Sequence, residues 1–143
     1  MTAGAGDLLG VGATRLIQLR EIVAENGSLV VGELPQSLPF VVRRFFALYG
    51  IPAGEARGTH AHRACEQFLV CLRGSVTALV DDGRTQREIV LDRPDLGLFM
   101  PALTWGTQSD YSADALLMVF ASHEYDAADY IEDYDEFLAL VDA

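Results

Sequence analysis

Short extended runs broken by turn chemistry dominate this chain, and they constrain its fold more than any other feature. Residues 15–21 and 28–33 flank Asn26-Gly27, a pair suited to two-residue hairpin turns because both central positions need a positive φ. Residues 40–49 form a longer β-branched and aromatic run closed by Gly50, Pro52 and Gly54. Apolar runs at 66–72 and 75–80 hinge at Arg73-Gly74, and Asp81-Asp82-Gly83 turns the chain into 86–91. Residues 94–97 turn into 98–101, and 115–121 is a last apolar run. The pattern predicts eight or nine strands at spacings of roughly ten residues, the rhythm of an all-β sandwich or barrel.

The end of the chain reads differently. From Asp126 onward the apolar positions Tyr130, Ile131, Tyr134, Phe137, Leu138 and Val141 fall on one helical stripe, with Asp126 or Asp129 placed to cap its start. Residues 1–13 are rich in Gly and Ala and read as a flexible N-terminus, leaving 14–143 as a single domain. Within 143 residues we find no internal repeat and no linker.

Charge narrows the partners. The net charge is −11, from 21 acids and 10 bases. This argues against nucleic acid or an anionic membrane surface, which need a basic face. The acids are concentrated: residues 124–143 carry eight and no base, so the remainder is only −3. A small anionic ligand is therefore compatible with the body of the protein. Every base is an arginine, so Schiff-base chemistry on a lysine is excluded. No apolar run approaches the ~20 residues that span a bilayer, and no signal peptide is read at the start, so a cytoplasmic location is expected. Cys65 and Cys71 read as two small buried hydrophobes.

Two of the three histidines stand in Arg57-Gly58-Thr59-His60-Ala61-His62. On a strand, residues two apart share a face, so His60 and His62 project together. A same-face His-x-His also opens the cupin metal motif. Here Gly54 precedes His60 by six, and the spacing continues His62-x4-Gln67-x6-Gly74. The slot that holds a metal-binding carboxylate therefore holds a neutral amide, a poor ligand. Glu66 has the opposite strand parity and is expected to face away. The segment 97–106, where a second motif would supply a third histidine, keeps Gly97 and Pro101 but has no histidine. Catalytic metals usually take three protein ligands, so no metal is expected. Two facing imidazoles are natural proton-transfer groups near neutral pH.

These residues resemble the cupins that act as dTDP-4-keto-6-deoxyglucose 3,4-ketoisomerases, the WxcM-like group. The likeness is carried by Pro39-Phe40-Val41-Val42-Arg43-Arg44, by residues 57–63, and by Glu66-Gln67-Phe68-Leu69-Val70-Cys71-Leu72-Arg73-Gly74-Ser75. It continues through Asp81-Asp82-Gly83, Gly97-Leu98, Trp105 and Asp129-Tyr130-Ile131, covering roughly 15–138. The resemblance implies a small cupin jelly-roll barrel with a C-terminal helix, forming a homodimer with exchanged N-terminal strands. It implies cofactor-free transfer of a ketone from C4 to C3 of a dTDP-linked 4-keto-6-deoxyhexose, through an enediol. Carried onto this chain, it makes His62 the principal acid/base and His60 its partner. Arg44 and Arg57 are implied to hold the diphosphate or sugar oxygens, and Gln67 to donate from the vacated metal slot. Trp105 is implied to line the pocket, and Tyr49 is a further candidate to meet the substrate.

The chain departs from the pattern at three pocket-type positions. Asn26 stands where the first hairpin commonly has an arginine, Phe46 and Ala47 where a tyrosine often sits, and Gly106 where a histidine often follows the tryptophan. Two other readings fit the same cupin: a non-catalytic sugar-nucleotide-binding module, and a metal-dependent enzyme.

Overall fold

The computed structural model describes residues 7–142. In chain order the strands are β1 (Asp7–Leu8), β2 (Arg15–Gln18), β3 (Arg20–Ala24), β4 (Gly27–Val31), β5 (Arg44–Tyr49), β6 (Arg57–His62) and β7 (Gln67–Arg73). They continue as β8 (Val76–Asp81), β9 (Gln86–Leu91), β10 (Leu96–Met100), β11 (Trp105–Ser109), β12 (Leu116–Ala121) and β13 (Tyr130–Ile131), and α1 (Tyr134–Val141) closes the series. A six-stranded sheet runs β1-β2-β10-β7-β12-β5, and a five-stranded sheet runs β13-β6-β11-β8-β9. The hairpin β3–β4 stands apart as its own two-stranded sheet. The class is all-β, as the turn rhythm predicts. The arrangement is two sheets face to face, not a closed barrel.

Alternation along the strands fixes what lies between the sheets. On the six-stranded sheet, Arg44, Ala121 and Gln67 form one cross-strand row, Phe46, Val119 and Leu69 the next, and Leu48, Leu117 and Cys71 a third. Leu69, Cys71, Val76, Val80, Leu98 and Leu117 are buried together in the main core of the sandwich. Both cysteines are buried and free. Gly97 matters here: a Cβ on it would overlap the ring of Phe68, so only glycine lets that buried ring close on β10.

Both ends of the chain differ in detail from the sequence reading. Of the N-terminal stretch read as flexible, residues 1–6 lie outside the described residues, and within 7–13 two residues are buried and the others exposed. Leu9 and Val11 join the core, and the Gly12 N–H donates to Asp82 at 2.8 Å. The helix also starts later than the apolar stripe predicts. Asp133 caps it by accepting from the Asp135 N–H, and Asp126 instead caps a short 3-10 turn at Ala127–Asp129. The reason is that the backbone of Tyr130 and Ile131 pairs with His62 and Ala61 of β6. The strand sends the two side chains to opposite faces, whereas a helix would have left them neighbours on one stripe. Ile131, Ala61 and Trp105 then form a second core beneath Phe137 of α1.

Candidate active site

Strand parity places Ala61 and Trp105 outward beneath the helix, so His60, His62 and Gly106 face inward. The approach to His60 is irregular. Gly58 and Thr59 both have positive φ, 86° and 63°, and the pairing of β6 with β11 slips at Gly106/Thr107. Thr59 is β-branched, so the left-handed conformation is costly for it. The resulting bulge re-aims the strand just before the first histidine.

His60 opens onto a cavity of about 410 Å³ between the sheets. Arg57, Gly58, Gly106, Gln108 and Tyr130 line it on the same wall, and Phe46, Leu48, Gln67, Leu69, Met100 and Val119 on the facing wall. His62 lies behind, only 5% exposed. Its Nε2 is 3.2 Å from His60 Nε2, and its Nδ1 is 3.0 Å from Asp129 Oδ2. Asp129 also accepts from the backbone N–H groups of Ala64 at 2.8 Å and Cys65 at 3.2 Å. Tyr130 packs on both imidazoles, with ring centroids 4.9 Å and 4.4 Å away.

The electrostatics follow from these contacts. Burial, then the adjacent His60, lowers the pKa of His62 below the ordinary histidine value, against the opposing pull of Asp129. Burial alone would raise Asp129. Its hydrogen bonds from Ala64, His62 and Cys65 outweigh that and hold the carboxyl below its usual range. The pair is therefore an ionised carboxylate behind a neutral imidazole. With Asp129 accepting from Nδ1–H, His62 presents a bare Nε2, which accepts from His60 Nε2–H. His60 Nδ1 is left as the unprotonated nitrogen of the row.

His62, Cys65 and Asp129 also bring three potential metal-binding atoms within 4.8 Å of one another. Asp129 is already engaged by three donors, however, and the Cys65 thiol is turned to the Glu66 carbonyl at 3.4 Å. The cluster fits a hydrogen-bonded triad. Facing it, the slot of the missing carboxylate presents the amide of Gln67 to the cavity, as its spacing predicts.

The structure brings together His60, His62, Gln67 and Arg57, the last exposed and without an ion pair among the described residues. Arg44 stands close behind. Its guanidinium lies 5.4 Å from the ring of Phe46 and 5.7 Å from that of Tyr125, and its charge acts on His62. Trp105 and Tyr49 are not brought to the cavity. Trp105 is 7% exposed and packs against Tyr134 and Phe137. Tyr49 is 72% exposed, on the outward face of β5 opposite Phe46 and Leu48. The sequence reading missed Asp129 as the partner of His62, and Tyr130 and Gln108 as lining residues. For the first two, the available signal was the Asp-Tyr-Ile triplet, which a strand reading would have placed against the histidines.

Residues 12–142 match the family described as FdtA, WxcM-like, C-terminal. The TDP-4-oxo-6-deoxy-alpha-D-glucose-3,4-oxoisomerase of Aneurinibacillus thermoaerophilus is 41% identical over 123 residues, 86% of this chain and 88% of that protein. Among solved structures, the WlaRB TDP-quinovose 3,4-ketoisomerase of Campylobacter jejuni is 36% identical with a TM-score of 0.87, covering 90% of this chain and 99% of that one. QdtA, a 3,4-ketoisomerase of Thermoanaerobacterium thermosaccharolyticum, is 30% identical with a TM-score of 0.87, covering 90% and 93%. That structure is a histidine-to-asparagine variant in complex with TDP-4-keto-6-deoxyglucose.

Proposed function

The chain belongs to the FdtA, WxcM-like family, and on that premise we propose that it is a sugar-nucleotide 3,4-ketoisomerase acting on a TDP-linked 4-keto-6-deoxyhexose. One observation carries the reading: the row Asp129–His62–His60 ends at a cavity whose other polar lining is amides, a tyrosine and an arginine. This is equipment for moving a proton beside a carbonyl.

The reaction needs a base at C3, next to the C4 carbonyl. The burial order supports His60 as the group that meets the substrate and His62 as the group behind it, reversing the emphasis that the resemblance implies. His60 Nδ1 takes the C3 proton, the C–H electron pair becomes the C3=C4 bond, and the C4 carbonyl pair moves onto O4. The imidazolium so formed is stabilised by its hydrogen bond to His62, which the ionised Asp129 polarises. It gives the proton to O4, and the enediol results. His60 then takes the O3 proton and delivers it to C4, giving the 3-keto, 4-hydroxy isomer. C3 and C4 are adjacent, so one imidazole can serve both carbons. Gln67 is positioned to donate to a sugar oxygen, and Arg57 at the rim to pair with the diphosphate. Arg44 supports the site by its charge. No cofactor enters this scheme.

The test is incubation with TDP-4-keto-6-deoxyglucose in D2O, followed by NMR. Exchange at C3 and appearance of the 3-keto sugar are expected; no exchange and no isomer would overturn the proposal.

We further propose a homodimer. Among the described residues β5 is a sheet edge without a further partner, and its outward face exposes Phe45 (66%) as well as Tyr49. Beside it, Leu38, Val42, Leu72, Pro94 and Phe120 line an apolar groove. The N-terminal strands are the segment suited to exchange, and among them the hairpin β3–β4 stands as its own sheet with Val23 and Leu29 exposed. Light scattering at micromolar concentration should give twice the chain mass of 15.6 kDa; a monomer would refute this assembly.

A further inference from the structure

Gln108 is the cavity residue that the histidine row leaves without a task. It sits on β11 across from Arg57, and two residues before it Gly106 pairs with His60. Its amide lies over two glycines of this wall. Oε1 is 2.9 Å from where a Cβ on Gly58 would stand, and Nε2 is 3.5 Å from the corresponding point on Gly106. A Cβ on Gly58 would displace the amide, whereas at Gly106 the clash would be with the end of Met100 from the opposite sheet. The bare Gly58 therefore gives the amide its place on this wall. Its neighbour Thr107 bonds Thr59 across the strands, whereas the Gln108 amide has no hydrogen-bond partner among the described residues. A half-buried amide carries two donors and an acceptor. One left open beside a reactive imidazole is available to whatever enters the cavity.

Resting on the ketoisomerase reading, we propose that Gln108 is the oxyanion-binding residue on the histidine wall. It holds the vicinal oxygens O3 and O4 of the sugar as a pair, Nε2–H donating to O4 and Oε1 accepting from the O3 hydroxyl. The match is chemical. The 4-keto substrate offers an acceptor at O4 and a donor at O3, and an amide is the complementary pair. When the C3 proton goes to His60, the electron pair of the broken bond ends on O4 while O3 keeps its hydrogen. The same two hydrogen bonds then persist, and the one to O4 strengthens as charge arrives. An interaction that grows toward the transition state acts on kcat more than on KM. Gln67 approaches from the facing sheet, so the enediolate is held from both sides.

The test is steady-state kinetics of Gln108→Leu and Gln108→Glu beside the wild type, with TDP-4-keto-6-deoxyglucose as substrate. Gln108→Leu removes donor and acceptor. It should lower kcat by about 10-fold or more, less than the loss of a sole oxyanion donor because Gln67 remains, with KM changed by less than about 3-fold. Gln108→Glu is nearly isosteric and guards against a folding failure of the first variant. At neutral pH it places a carboxylate against O4 and should be slower than Gln108→Leu. Measured relative to wild type, with His60, Tyr130 and Arg57 the other titratable groups on this wall, its deficit should shrink as pH falls and the introduced carboxyl protonates. Unchanged kcat in both variants, or a loss confined to KM, overturns the assignment. A wild type that gives neither exchange nor 3-keto sugar overturns the ketoisomerase reading itself, and the role of Gln108 with it.

Discussion

His60→Asn is expected to stop isomerisation, lowering kcat by about 10²–10⁴-fold, while the melting temperature and the affinity for TDP stay close to wild type. His60 lines the cavity, and its bare Nδ1 is the end of the row. Asparagine keeps polarity and similar bulk but cannot take a proton near neutral pH. Deuterium exchange at C3 should be lost together with turnover, since both need the same proton removal. His62→Asn should also be slow, but for a mixed reason. That side chain is buried, packs on Tyr130 and satisfies Asp129, so stability falls with activity. The contrast between the two variants, read by NMR exchange and thermal melts, separates the group that meets substrate from the group behind it. Near-wild-type exchange in His60→Asn would place the base elsewhere.

Asp129→Asn should cost about 10²–10³-fold in kcat although residue 129 does not line the cavity. Every group around Asp129 is a donor: Ala64 N–H on one oxygen, Cys65 N–H and His62 on the other. An amide has only one oxygen, so its NH2 must face a donor. Turned toward His62, it favours the tautomer whose Nε2 carries the hydrogen, and His60 loses the acceptor that orients it; a wrong-tautomer defect of this kind is severe in hydrolase triads. The variant should also be less stable, with a definite pH signature. The Asp129 carboxyl is depressed in the folded state. Its stabilisation is therefore fully present above the unfolded pKa of about 4 and is lost as pH falls through the lower folded value. Urea melts should show the gap between wild type and Asp129→Asn at pH 7, closing below about pH 4. A pH-independent gap, or unchanged kcat, would refute the linkage.

Much of this was legible in the sequence because the signals were local. The first hairpin forms but turns one residue earlier than expected, since Ala24 pairs with Gly27 and leaves Glu25-Asn26 as the loop; Asp81-Asp82-Gly83 turns where expected, and the i,i+2 spacing of His60 and His62 guarantees a shared face wherever the strand lies. Gln67 reaches the cavity for the same reason. What was illegible depended on partners far along the chain. The stripe from Tyr130 fits a helix equally well until β6 is known to claim the backbone of 130–131. Asp129 looks like one more acid in a run of eight, and only three convergent donors from 62–65 distinguish it. Trp105 was drawn outward by its one-residue offset from Gly106, which the motif did not reveal because a bulge at Gly58-Thr59 interrupts the parity of the partner strand.

The hydrogen bond between His62 and Asp129 spans 67 positions of sequence, and it makes turnover a gauge of global folding. Every hairpin can form locally, with its far-ultraviolet signal intact, while the 124–131 segment is still detached from β6. Such a state would look folded by circular dichroism and remain silent toward substrate. For this protein the recovery of activity, not of β-structure, marks the moment the native topology has closed.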